Sequence, residues 1–188
     1  MAVAEDGKRP LWAPWRVAYI RGPKSAQCIF CTSPRQASGR EELIVHRGER
    51  CYVLLNAFPY APGHLMVAPY RHVGELDALD DDELLELQTL TRDCVRALRR
   101  AFAADGFNIG INLGKVAGAG FAAHLHQHVV PRWQGDNNFM PVIADTRVIN
   151  QSLEAARQEI LAAWPTAAAS ASGPRGGGRS AESDGASG

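Results

Sequence analysis

Hydrophobic residues recur with two different periods along the chain, and the longer period defines one long predicted helix over residues 80–104. There, apolar residues return at spacings of three and four, which predicts a helix with a single apolar face. Acidic residues crowd its start and arginines crowd its end, as the helix dipole favours, and we expect Gly106 to end it. The apolar positions are Leu84, Leu87, Thr91, Val95, Leu98 and Phe102.

Shorter runs of β-branched and aromatic residues, separated by turn residues, predict strands. Residues 47–50 are the predicted turn of a hairpin. Residues 56–63 are a predicted loop, because the two prolines and the glycine in it do not continue a ladder. A second, shorter helix is predicted over 150–164. The predicted strands are 43–45, 51–55, 64–69 and 107–113.

The most informative strand signal is residues 124–133, His-Leu-His-Gln-His-Val-Val-Pro-Arg-Trp. Three of the six histidines of the chain stand here at every second position, and two valines and a proline follow, which predicts a strand and its end. Alternate residues of a strand share one face. We therefore expect His124, His126 and His128 on one surface and the intervening apolar residues in a core, with Gln127 as the polar exception on the core side.

Three interpretations of the histidine run are open from the residues alone. Structural filler is disfavoured, because each buried titratable ring needs hydrogen-bond partners. A solvated face is also disfavoured, because the flanking residues are small and apolar. A plain metal site and a chemical site that handles phosphate both fit the pattern, and the phosphate-handling site fits it better.

Composition favours one compact domain with flexible ends. The chain has 188 residues, of which 46% are hydrophobic, and we expect a disordered N-terminus over 1–10, a folded domain over 11–164 and a disordered Ala/Gly/Ser-rich tail over 165–188. Twenty basic and twenty acidic residues cancel, which argues against polymeric nucleic acid as a partner. The polar start and the lack of an apolar run of ~20 residues predict a cytoplasmic protein with no membrane partner.

The cysteines indicate a metal site and a reducing compartment. Cys28 and Cys31 form a C-x-x-C turn, which brings two sulfurs close enough to share a zinc ion. A redox pair or a chance spacing is the alternative. The redox interpretation needs a strand before the motif and a helix after it, whereas glycine and proline flank this one, so zinc is favoured. Cys51 and Cys94 have no such partner and are expected to be buried as small apolar residues.

The small-residue loop 114–120 leads into the histidine run. It is neither a P-loop nor a dinucleotide fingerprint, because no serine or threonine follows its Gly-Lys and no helix pattern comes after it. Its unhindered backbone N–H groups are suited to an anion-binding nest for phosphate. A flexible turn without a ligand is the alternative.

Taken together, these motifs resemble the histidine triad (HIT) superfamily of nucleotidyl hydrolases and transferases. The family signature is His-φ-His-φ-His-φ-φ, where φ is apolar, and residues 124–130 match it at every position except Gln127. Asn56 followed by 62–69, Pro-Gly-His-Leu-Met-Val-Ala-Pro, resembles the loop and strand of the family. The resemblance covers roughly residues 11–164.

Further motifs resemble the zinc-carrying bacterial members. These are the C-x-x-C turn and His72, which follows the strand predicted at 64–69. The entry segment 11–16, Leu-Trp-Ala-Pro-Trp-Arg, and the ending 131–133, Pro-Arg-Trp, are most similar to the branch that includes bacterial diadenosine tetraphosphate phosphorylases. Family members commonly form homodimers, and the arm with Trp12 and Trp15 is expected to pack on the domain or on a second subunit.

The resemblance implies an α+β fold, an antiparallel sheet of about five strands with one long helix and a short C-terminal helix. It also implies roles for the matched residues. His126 is the nucleophile on the α-phosphorus, His128 contacts the phosphate oxygens, His64 supports the site and Asn56 holds the ribose. The residues that face the phosphates or the leaving group are Asn112, Gly118 and Ala119. The implied ligands of a structural zinc ion are Cys28, Cys31, His72 and His124.

The activity implied is cleavage of a dinucleoside polyphosphate at its α-phosphate through a covalent nucleotidyl-histidine. Water as the acceptor makes the protein a hydrolase, and inorganic phosphate makes it a phosphorylase. The alternatives are a nucleoside phosphoramidase, a zinc metallohydrolase that uses His124 and His126 as ligands, and a nucleotide-binding module without turnover. Ala119 stands where the family often has glutamine, and the connection from Gly118 to His124 is one residue longer than in many hydrolases. Both departures concern the leaving group.

Overall fold

The computed structural model describes residues 28–34, 41–136 and 151–166, and within them it has the predicted α+β architecture. Three α-helices and five strands are present in this part of the chain. The predicted strands and both predicted helices are confirmed, with small shifts at their ends. The helices are α1 Ile29–Thr32, α2 Asp81–Phe102 and α3 Leu153–Ala163; the strands are β1 Ile44–Arg47, β2 Cys51–Leu55, β3 Leu65–Pro69, β4 Gly106–Ile111 and β5 Gln127–Arg132.

The five strands form a single antiparallel sheet in the order β1-β2-β3-β5-β4. β5 lies between β3 and β4, although it comes last in the chain. Its register places His128 opposite Met66 of β3 and opposite Gly110 of β4. The histidine run therefore lies inside the sheet, with a paired strand on each side to fix its position.

The long helix α2 covers one face of the sheet. Asp80 and Glu83 form a capping box at its start, in which each side chain accepts a hydrogen bond from the other residue's backbone N–H. The helix ends at Phe102, because Ala103 adopts a left-handed conformation with φ 49°. The prediction that Gly106 ends the helix is wrong, since Gly106 already begins β4.

The two faces of the sheet carry separate clusters of buried residues. α2 and α3 pack over one face, which holds the main core and includes Leu125 and Val129 of the histidine run, as predicted. The opposite face is covered by the short helix α1, whose Phe30 packs against Tyr52 and Met66. Alternation along β5 sends His128 to this second face. Cys51 and Cys94 are fully buried, as expected of small apolar residues.

The histidine run is a strand only in its second half. β5 begins at Gln127, so the prediction of a strand from His124 onward is wrong for its first three residues. The backbone N–H of Leu125 donates to the carbonyl of Val73 (2.7 Å) rather than to a neighbouring strand. At the other end, β5 passes through Pro131, which lies beyond the residues paired with β3, so the missing N–H removes no ladder bond on that side.

Some predictions fall outside the described residues. These concern the N-terminal segment 1–10, the tryptophan-containing arm 11–16, and the tail from residue 167. Among the helices that the structure describes, none is long and apolar enough to cross a membrane.

Candidate active site and metal site

Three histidines converge on the face of the sheet that carries α1. His126 and His128 have ring centroids 5.0 Å apart, and His64, which directly precedes β3, lies 5.1 Å from His128. Gly63 makes this position of His64 possible. It has φ +73°, and a Cβ atom there would lie 2.6 Å from the ring of Phe102, so only glycine fits.

The ring of His126 is held in one tautomer by the backbone. Its Nδ1 lies 2.9 Å from the carbonyl oxygen of His124. A carbonyl only accepts hydrogen bonds, so Nδ1 carries the proton and Nε2 keeps its lone pair. Burial lowers the pKa of His126, although the hydrogen bond to His124 opposes the shift, and the ring is therefore neutral at pH 7. A neutral imidazole with a free Nε2 is a competent nucleophile.

His64 and His128 form a hydrogen-bonded chain with a fixed direction. The backbone N–H of Tyr60 donates to Nδ1 of His64 (3.1 Å), so the proton of His64 is on Nε2. That atom lies 3.0 Å from Nδ1 of His128 and donates to it. His128 consequently carries its own proton on Nε2. One peptide N–H thus fixes His128 as a hydrogen-bond donor, while His126 is fixed as an acceptor at Nε2.

Burial keeps the rings of His64 and His128 neutral. It lowers the pKa of His64 from 6.5 to about 3, with smaller contributions from His128 and His126. It also lowers the pKa of His128 from 6.5 to about 4, again with a smaller contribution from His126. The charged forms are disfavoured because water is excluded and because a second positive charge would lie close by.

Acidification from pH 7 to pH 5 is expected to lower the free energy of unfolding. The pKa of each ring is 6.5 when unconstrained, against about 3 for folded His64 and about 4 for folded His128. Below pH 6.5 the unfolded chain therefore binds more protons than the folded protein, and stability is lost as the pH falls. Each ring contributes up to ~1.4 kcal/mol per pH unit. Urea unfolding at pH 7, 6 and 5 measures the slope, and an equal slope in His64→Gln would contradict the assignment.

A second cluster of side chains lies beside the histidines and could hold a metal ion. One ligand atom from each of its residues lies within 4.8 Å of all the others. These are the residues that the sequence predicted, Cys28, Cys31, His72 and His124.

The geometry of this cluster fits a tetrahedral ion. Nδ1 of His124 lies 3.4 Å from Sγ of Cys28, 3.5 Å from Sγ of Cys31 and 3.3 Å from Nδ1 of His72. Metal–ligand bonds of ~2.0–2.3 Å in a tetrahedron give edges of this length. Nε2 of His124 donates to the carbonyl of Pro69 (2.9 Å), which leaves Nδ1 free to bind the ion.

The residues predicted to bind the nucleotide lie on the loops around the histidines. The amide nitrogen of Asn56 lies 3.4 Å from Nδ1 of His64, and its oxygen accepts a hydrogen bond from the N–H of Phe58 (2.9 Å). Asn112 follows the end of β4 and lies next to Gly118, whose Cβ position is 4.0 Å from the amide nitrogen of Asn112. The structure therefore brings Asn56 to the histidines and places Asn112 beside Gly118.

Two backbone amides of the glycine loop 114–120 are not free, although its sequence predicted free amides. The N–H of Gly118 donates to Lys115 (3.0 Å), and the N–H of Ala119 donates to Gly114 (3.3 Å). A short 3-10 helix over Lys115–Ala117 creates these bonds. In this conformation both amides are used within the loop, and an anion would have to displace those contacts.

Two aromatic residues of the site were not predicted. Phe30 stacks on His126 with ring centroids 4.6 Å apart, and Tyr60 lies 4.8 Å from His64. Phe30 stands between the two cysteines, at one of the unspecified positions of the C-x-x-C motif. Nothing in the periodicity of so short a segment indicates which ring it contacts.

The protein has an α+β fold with an antiparallel sheet. One face of the sheet carries neutral histidines with fixed hydrogen-bond directions, and a Cys₂His₂ cluster lies beside them. The chain belongs to the HIT domain family, whose model matches residues 39–135. It is accordingly an enzyme of the nucleotide hydrolase and transferase class, as the resemblance implied.

Individual relatives agree with this assignment. A Mycobacterium tuberculosis protein named AP-4-A phosphorylase is 43% identical over 168 residues, covering 85% of this chain and 86% of its own. A zinc-bound histidine triad family protein from Mycobacterium smegmatis superposes with a TM-score of 0.59 at 29% identity, covering 73% of this chain and 92% of its own. A hypothetical histidine triad nucleotide-binding protein from Sulfolobus tokodaii has a TM-score of 0.59 at 26% identity, covering 72% and 91%.

Proposed function

We propose that the protein cleaves dinucleoside polyphosphates at the α-phosphate through a covalent nucleotidyl-His126. The observation that carries the proposal is the pair of opposed ring nitrogens. His126 presents a lone pair at Nε2, and His128 presents a proton at Nε2. The name of the Mycobacterium tuberculosis relative, AP-4-A phosphorylase, supports this class of substrate.

In the first step, Nε2 of His126 attacks the α-phosphorus and a P–N bond forms. The bond from phosphorus to the bridging oxygen breaks, and the leaving nucleotide takes the electron pair. His128 donates a hydrogen bond from Nε2 to a phosphate oxygen and offsets the charge that develops there. The positive charge left on the His126 ring is shared with the carbonyl of His124 through Nδ1–H.

In the second step, the acceptor attacks the same phosphorus and the P–N bond breaks, which restores neutral His126. Water as the acceptor gives a nucleoside monophosphate, and inorganic phosphate gives a nucleoside diphosphate. His64 acts through His128 by holding its tautomer. Asn56 is proposed to bind the ribose. Asn112, Gly118 and Ala119 are proposed to contact the phosphates, which requires the amides of Gly118 and Ala119 to give up their hydrogen bonds within the loop.

The Cys₂His₂ cluster is proposed to bind a structural zinc ion. Thiolate and imidazole are ligands that zinc prefers, and four protein ligands close the coordination sphere to substrate. The zinc-bound Mycobacterium smegmatis relative supports this choice of metal. A bound ion would fix α1 to the segment that carries His124.

We further propose a cytoplasmic homodimer with a single folded domain over 11–164. Two cysteines proposed to bind zinc rather than to form a disulfide suit a reducing compartment. β4 is at the edge of the sheet, and its Ile109 is 47% exposed, which supports pairing with a second copy.

Diadenosine tetraphosphate, incubated with and without inorganic phosphate, distinguishes the two acceptors. We expect ATP as the leaving nucleotide in both cases, since the α-phosphate is the point of attack. A phosphorylase gives ADP as the second product only when phosphate is present, and a hydrolase gives AMP. Chromatography of the products, with His46→Ala as a control variant, measures the outcome. The absence of any nucleotide product in both reactions would contradict the proposal.

A further inference from the structure

The face of the His126 ring is covered by a single aromatic side chain. Phe30 is 1% exposed, and its ring lies 4.6 Å from that of His126 at an interplanar angle of 23°. The same ring lies 5.2 Å from His124 at 33°. The phenyl ring of Phe30 therefore contacts His124, which belongs to the metal cluster, and His126, the proposed nucleophile.

Phe30 is itself held tightly from behind. The hydroxyl of Tyr52, a fully buried residue, donates to the Phe30 carbonyl (2.7 Å). Phe121 packs edge-on against the phenyl ring, with centroids 5.9 Å apart at 88°. Cys28 directly precedes α1, and Cys31 lies within α1 next to Phe30. The position of the phenyl ring is thus tied to the metal cluster and to β2.

The hydrogen bond of His126 does not by itself fix the orientation of its ring plane. The hydrogen bond from Nδ1 to the carbonyl of His124 fixes the position of one ring atom. The ring can still rotate about the axis of that hydrogen bond. Packing has to remove this freedom. Phe30 lies against one side, and His128 meets His126 edge-on at 77°. The direction of the Nε2 lone pair therefore depends on both neighbours.

We infer that Phe30 is a positioning residue for His126, and that the turn carrying the two cysteine ligands also sets the plane of the nucleophile's ring. The inference rests on the proposed function, since it assigns to Phe30 a task in that reaction. It gives the metal cluster a second role, because an ion that orders the turn also orders the phenyl ring.

The expected effect is on the rate of reaction rather than on substrate binding. A displacement of ~1 Å in a reacting group costs about 100-fold in rate. Phe30→Leu, in the full chain with metal bound, should therefore lower kcat by about 100-fold and leave KM within about threefold. Phe107→Leu is the matched control, since it removes a phenyl ring that packs against the main core on the other face of the sheet. Its kcat should stay within about threefold of the parent.

Two further measurements separate positioning from a loss of structure. Ring ¹⁵N chemical shifts of His126 at neutral pH report the tautomer, and Phe30→Leu should change one Nδ1–H form into a mixture. If Phe30→Leu fails to fold or loses its metal, Tyr52→Phe serves instead, because it removes only the hydroxyl that holds the Phe30 carbonyl. Tyr52→Phe should also lower kcat, by about tenfold.

The outcomes distinguish this inference from the proposed function. If the parent protein forms no covalent nucleotidyl-His126, the proposed function fails whatever Phe30 does. If the parent forms it and folded Phe30→Leu keeps its kcat, or changes only KM, the inference alone is wrong. An unchanged kcat and tautomer in Tyr52→Phe, when Phe30→Leu does not fold, would overturn it as well.

Discussion

Replacement of His126 by alanine is expected to lower kcat by about 10⁴-fold or more while leaving the protein folded. The variant removes the only atom proposed to bond to phosphorus, so no neighbouring group replaces the lost step. His128 and His64 remain, and their hydrogen bond does not depend on His126. Steady-state turnover of diadenosine tetraphosphate measures the loss, and mass spectrometry of the quenched parent protein detects the nucleotidyl adduct.

His46→Ala is the matched control for this experiment. His46 is on β1 and stacks on Trp164 at 5.0 Å, so it takes no part in the site. Its turnover should equal that of the parent. Undiminished activity in His126→Ala would show that a different group attacks phosphorus, and the covalent mechanism would then be wrong.

Loss of the metal is expected to lower the free energy of unfolding by several kcal/mol. A structural zinc ion contributes its binding free energy to folding, because the unfolded chain has no preformed site. Here the candidate ligands come from three separate parts of the chain, which are the Cys28/Cys31 turn, His72 and His124. Without the ion, α1 is held to the sheet by contacts such as the hydrogen bond from Tyr52 to the Phe30 carbonyl. Thermal unfolding of the chelated protein and of Cys28→Ser measures the change.

Cys94→Ala provides the comparison for this stability measurement. Cys94 is a residue of α2 and is fully buried in the core. Its loss should cost about 1 kcal/mol through a small cavity, with the metal content unchanged. If chelation abolished turnover at once but left the unfolding transition in place, the ion would be catalytic. The metallohydrolase hypothesis would then replace the one proposed here.

The sequence predicted those parts of the fold that repeat along the chain. α2 was clear because its apolar residues recur over 22 residues and its ends carry the matching charges. The candidate metal ligands Cys28 and Cys31 were also predictable, since a C-x-x-C turn constrains its own geometry. Their partnership with His72 and His124 came from the family resemblance, because no local pattern joins residues so far apart.

Other features depend on contacts that only the folded chain creates. The side chain of Gln127 is buried and donates to the hydroxyl of Thr91 (2.9 Å), a pairing between a strand and a helix that no spacing reveals. The amides of Gly118 and Ala119 are satisfied within their own loop, although glycine-rich composition suggested open ones. The contact of Phe30 with His126 likewise joins two short segments without periodicity.

The polar side chain of Gln127 has a consequence for the alignment of β5. It donates to Thr91 and accepts from the side-chain amide of Gln88 (3.0 Å), both on α2. A slip of one residue would turn Gln127 to the opposite face and send its neighbouring histidines beneath the helix. The buried hydrogen bond to Thr91 and the part-buried one from Gln88 would then be lost. Gln127 therefore favours a single register of β5. In that register the ring of His128 lies on the face of the sheet opposite α2.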